Sequence, residues 1–189
     1  MPRADVSAGV GWFSGGIERP LTTHGGRGRD WYNDAGWVGV QGGYYWTTNL
    51  KIEGEVSWAG TGSAWTYDEP AELGGFPAYR QTEHDLVTRT VSAGLVYQFG
   101  RNLMLHPFLG GGVDVDLVRD DSRSVTYGFQ GVPPDHVDER VEETRPGGFI
   151  VGGVKGYLSE RAFLRADIKV GRRSDAWKVV PRISLGFDF

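Results

Sequence analysis

Val179 to Phe189 reads VVPRISLGFDF, and with a period of two it splits into two unlike faces. Val179, Pro181, Ile183, Leu185, Phe187 and Phe189 lie on one, and Val180, Arg182, Ser184, Gly186 and Asp188 on the other. Strict alternation over about ten residues is the length of a tilted strand that crosses a bilayer. The stretch ends on an aromatic residue. A strand of this kind must find a partner on both edges, because lipid cannot satisfy an unpaired backbone. The expectation is therefore that it pairs with the first strand, near Asp5 to Phe13, and closes a barrel.

The rest of the chain repeats the pattern. In Asp5 to Phe13, Val6, Ala8, Val10 and Trp12 alternate with Ser7, Gly9 and Gly11. Trp37 to Thr47 is the second strand. The third has the cleanest alternation, with Leu50, Ile52, Gly54, Val56 and Trp58 set against Lys51, Glu53, Glu55 and Ser57. Strands follow over Asp85–Phe99, Leu103–Val118, Gly147–Leu158 and Ala162–Val170. The reading is all-β, one domain over residues 1–189, built as an eight-stranded antiparallel up-and-down transmembrane β-barrel. Long loops are expected over about 14–36, 60–84 and 119–146, and a short one over about 171–176. Long and short connections alternate, so a meander gathers the long loops at one end.

Composition narrows the function classes. The chain has 189 residues, 30 glycines, a net charge of −4 and dispersed basic residues, so it carries no nucleic-acid footprint. No cysteine is present, which excludes disulfides and thiol catalysis. No run of eighteen apolar residues occurs, so no helix is long enough to span a membrane, a test blind to alternating strands. Residues 1–4 run into the first strand without an apolar stretch, so the expectation is either that a signal peptide has been removed or that the protein is not exported.

Alternation shows that one face is apolar without saying which way it points. A soluble lipocalin-like barrel binding a lipophilic ligand would turn it inward. Two features favour outward. The polar face is small and carries both signs of charge: Glu53, Glu55, Asp114, Asp116 and Asp167 can meet Lys51, Lys155, Arg165, Lys169 and Arg182 as a lumen ion-pair network. Aromatics also collect at strand ends. Trp12, Trp37, Trp58 and Trp177 form one expected girdle, and Tyr44, Trp46, Tyr97, Phe99, Tyr157, Phe187 and Phe189 the other. Arg89, on the face of Val87 and Val91, is the exception.

Leu95-Val96-Tyr97-Gln98-Phe99-Gly100, His106-Pro107-Phe108-Leu109-Gly110-Gly111-Gly112-Val113, Gly152-Gly153-Val154-Lys155-Gly156-Tyr157-Leu158 and the Leu185–Phe189 ending together resemble the small eight-stranded outer-membrane barrels, the barrel-domain relatives of OmpA and OmpX. The ending is similar to the C-terminal signal read by the barrel-assembly machinery, with Ser184 where glycine is commoner. The resemblance implies a non-enzymatic integral protein of the bacterial outer membrane, in contact with membrane lipid and lipopolysaccharide, that supports the envelope and presents loops for adhesion or recognition. A narrow pore for small solutes is the alternative.

No catalytic, cofactor or metal site is expected. The paired carboxylates Glu53/Glu55 and Asp114/Asp116 could do acid–base work or bind a cation, but read better as members of the ion-pair network. His106 has no neighbouring serine in a recognisable motif. The acid-rich third loop (Asp120, Asp121, Asp135, Asp138, Glu139, Glu142 and Glu143) lacks the glycine-punctuated spacing of a calcium loop.

Overall fold

The computed structural model describes residues 3–17, 31–73, 76–100, 104–128, 134–172 and 177–189. Eight strands follow in chain order: β1 Ala4–Ile17, β2 Trp31–Tyr45, β3 Leu50–Leu73, β4 Phe76–Gln98, β5 Leu105–Tyr127, β6 Asp135–Tyr157, β7 Ala162–Arg172 and β8 Trp177–Asp188. Each pairs antiparallel with its neighbour, and β8 returns to β1, so the sheet closes on itself. The closing register runs from Asp5↔Asp188 through Val6↔Phe187 to Gly15↔Lys178. Phe189 extends it, its amide donating to the Ala4 carbonyl at 2.9 Å. Gly100, just after β4, stands at φ 84°, a backbone shape that side chains rarely adopt.

The pairings also fix the stagger of the barrel. Starting at Val6, one circuit runs through Gly42, Gly54, Ala93, Val113, Gly148 and Arg172 to Trp177 on β8. In the other direction Val6 pairs directly with Phe187. The two routes end ten residues apart on one strand, from Trp177 to Phe187. With about 3.3 Å per residue and about 4.8 Å between strands, that stagger tilts the strands by about 40°.

The alternation predicts the faces correctly. Val10, Val38, Ile52, Val91, Val113, Ile168 and Ile183 are exposed on the outer wall, while Ser7, Gln41, Glu55, Asp116, Lys169 and Arg182 are buried in the lumen. An exposed aliphatic wall around a polar interior is a membrane barrel turned inside out relative to a soluble one. The lipocalin-like alternative is therefore set aside, because the apolar face does not enclose a ligand cavity.

Three expected loops need correction. Residues 60–73 and 76–84 continue β3 and β4 as a hairpin, and most of 119–146 is the continued β5–β6 hairpin, paired from Val118↔Glu143 to Thr126↔Asp135. Residues 14–17 and 31–36 likewise lengthen β1 and β2. The centre of that first loop, 18–30, and residues 173–176 of the short loop lie outside the described residues. At 23 or 24 residues, β3 to β6 are about twice the length a tilted strand needs to cross a bilayer. On the β6 extension, Asp135 to Thr144, both faces are exposed, so the polar–apolar alternation that marks a strand in a sequence disappears although the backbone pairing continues.

Candidate functional site: the filled lumen and the long-strand rim

The lumen is built by side chains of one parity on every strand, and they form layers. At the tight-turn end, Lys51 Nζ donates to Asp5 Oδ2 at 2.9 Å, and Lys155 Nζ donates to Asp188 Oδ1 at 2.7 Å and to the Tyr45 hydroxyl at 2.8 Å. The Lys155 ammonium stands 3.8 Å from the Phe163 ring centroid. That ring lies across Gly186, where any Cβ would collide with it.

The middle layer is a chain of alternating charge. Lys51 reaches Glu53 at 2.7 Å, and Arg165 bridges Glu53 and Asp167, at 2.6 Å each. Arg182 joins Asp167 at 2.6 Å and also Glu55, which Lys169 reaches at 3.0 Å. Ring faces complete the packing. Arg165 stacks 4.4 Å from the Phe108 centroid, Lys169 4.2 Å from Phe149 and Arg182 5.2 Å from Trp37. Cations held between carboxylates and aromatic faces regain much of the solvation they lose on burial. A small cavity beside Glu53, Ser92, Phe149 and Arg182 has room for about one water.

The long-strand end is closed in two halves. Phe13, Ala35, Trp37, Ala59 and Val180 make an apolar cluster inside the barrel. Opposite them, Lys178 meets Asp114 at 2.5 Å and Asp116 at 2.9 Å, and the Thr90 hydroxyl donates to Asp116.

All ten residues expected in the lumen network, Lys51, Glu53, Glu55, Asp114, Asp116, Lys155, Arg165, Asp167, Lys169 and Arg182, are buried there. Three further charges belong to it: Asp5, Lys178 and Asp188. Each has the lumen parity of its strand, so the signal was present in the alternation. The carboxylate pairs are occupied by cations rather than free for acid–base work. His106, on the same face, packs edge-on against Tyr157 with centroids 5.5 Å apart. Among the described residues no cluster of three potential metal ligands occurs.

The girdles need two corrections. Trp37 is only 3% exposed and lines the lumen, and Tyr157 points inward to donate to Asp188. Each has the lumen parity of its strand, and parity outranks proximity to a strand end. The other nine, Trp12, Trp58, Trp177, Tyr44, Trp46, Tyr97, Phe99, Phe187 and Phe189, are exposed on the outside. The acidic residues of the expected third loop sit on the β5–β6 extension. There Asp121 accepts from Arg140 Nε at 2.6 Å and pairs with Arg119 at 2.9 Å, and Glu143 pairs with Arg145 at 2.5 Å. The hydrogen bond from Arg140, and after it the one from Arg119, hold the Asp121 carboxyl below its ordinary value.

An outward apolar wall, a charged and filled lumen and a closed eight-stranded meander define a small transmembrane β-barrel. The chain belongs to the outer membrane protein beta-barrel domain family, whose model matches residues 2–189. That family places it among bacterial outer-membrane proteins. No curated protein matches it in sequence. Solved structures of similar fold include a major outer membrane protein from Thermus thermophilus (TM-score 0.60, 13% identity, 100% of each chain covered). Neisserial surface protein A is similar at a TM-score of 0.57 and 12% identity, over 98% of this chain and 97% of that one. Ail, the attachment invasion locus protein of Yersinia pestis, has a TM-score of 0.56 at 10% identity over all of both chains. At such identities these likenesses speak for the fold alone.

Proposed function

We propose that the protein is a non-enzymatic, non-conducting barrel that supports the outer membrane and uses its long-strand end for adhesion or recognition. The observation that carries this reading is the extension of β3 to β6 as a paired sheet above a lumen occupied by buried ion pairs and an apolar cluster. A pore needs a continuous water path, and the ion-pair layers and the Phe13/Trp37/Val180 cluster occupy it. The narrow-pore alternative is thereby disfavoured.

Residues 119–144 carry seven carboxylates against three arginines, which favours a cationic partner over a sulfated glycan. Membrane lipid is the partner of the outer wall, and the barrel-assembly machinery would engage the exposed Phe187 and Phe189 of the closing strand. The test is to replace residues 119–143 with a short turn. The barrel should still fold, and expressing cells should lose attachment to polylysine-coated but not heparin-coated surfaces. Unchanged attachment by the trimmed protein would remove the adhesive role.

A further inference from the structure

We propose that Arg89, with Arg119 beside it, forms a binding site for the phosphate of an anionic membrane lipid at the long-strand rim. This rests on the membrane reading above. Arg89 stands on the outer wall of β4 between Val87 and Val91, where every residue from Val91 down to Phe99 of the same parity is apolar. It is exposed, and among the described residues it has no ion-pair partner. In register it lies between Trp58 of β3 and Leu117 of β5. An arginine level with an outward tryptophan marks the water–lipid interface, where guanidinium groups meet lipid phosphates.

The second cation is supplied by register. Val87 pairs with Arg119, so Arg89 and Arg119 are diagonal neighbours on one face, with backbones about 7–8 Å apart. A phosphate between them can accept from both. Guanidinium presents paired donors that match phosphate oxygens, and a site shielded by Trp58 and Leu117 strengthens the contact. Arg119 pairs through Nε with Asp121 and has no other ion pair among the described residues, although Glu142 lies opposite it in register. On β7 the first outward charge is also an arginine, Arg172, stacked 5.3 Å from Trp177. Snorkelling alone would accept lysine or arginine and needs no second cation, so the Arg89/Arg119 pair points beyond it.

The full chain is folded into phosphatidylcholine vesicles containing a minor fraction of phosphatidylglycerol, extracted gently, and weighed with its retained lipid by native mass spectrometry. The wild type should retain phosphatidylglycerol over phosphatidylcholine. Arg89→Gln should lower that enrichment about tenfold and Arg119→Gln by less, whereas Arg161→Gln, at the opposite rim, should leave it unchanged. Arg89→Lys should retain part of it. Inorganic phosphate alone should neither bind nor compete, which separates a lipid headgroup from a free anion. Equal enrichment in Arg89→Gln, or displacement by inorganic phosphate, overturns the site and leaves the membrane barrel standing. A wild type that stays folded in solution without lipid or detergent overturns the membrane reading itself.

Discussion

Lys178 meets Asp114 and Asp116 at once, so its removal takes away the cation shared by two buried carboxylates of like charge. Lys178→Met should cost about 3–5 kcal/mol in urea unfolding from lipid vesicles, and adding Asp114→Asn and Asp116→Asn to it should restore most of the loss. A single variant as stable as wild type would remove Lys178 from the network. Outside the membrane, Asp121 gives a pH signature. Its folded value is below the ordinary 3.8, so the contribution is complete above 3.8 and is lost as pH falls through the lower folded value. Protection factors of amides in the β5–β6 extension should fall in that acid range, and Asp121→Asn should weaken that pH dependence; equal acid response in both would contradict it. At this scale the lumen was legible by parity alone. Lys178 lies just before Val179, where the alternation begins, while Asp5 and Asp188 stand on the lumen faces the alternation gives and join the network only because closure pairs them. Trp37 and Tyr157 stand near a rim yet line the lumen, because strand parity and not nearness to a strand end decides the face.

Among the elements, β8 has most to do, since it closes the sheet and contributes Lys178 and Arg182 to the lumen. Deleting Phe187 to Phe189 removes the Val6↔Phe187 and Asp5↔Asp188 pairings and the hydrogen bonds to Phe189, and leaves Lys155 without Asp188. Folded yield in outer membranes should fall several-fold, read as the heat-modifiable band on unboiled gels; wild-type yield would contradict this. On the outer wall, Ile52→Arg or Ile168→Arg should each cost about 2–4 kcal/mol near the bilayer midplane. Spin labels at these positions should report acyl chains, and a water-like signal there would reverse the faces. The transmembrane part of each strand could be read because one face meets lipid and the other the lumen. The extensions could not, since Asp135 to Thr144 is polar nearly throughout and is held as strand by pairing with β5.

For the whole molecule, eight strands with a stagger of ten enclose a space just wide enough for side chains, and this chain fills it with paired charges, ring faces and an apolar cap. The closed topology followed from the sequence because the first and last strands both alternate and both need partners. The packing of cations onto Phe108, Phe149, Phe163 and Trp37 did not follow, as it depends on which strands the closure brings face to face. Single-protein conductance across a planar bilayer therefore tests the central claim most directly. The account predicts a silent barrel with at most rare, small steps, and larger steps once Arg165 and Arg182 are both replaced by serine. A steady, large conductance from the unmodified protein would contradict the filled lumen and establish a pore.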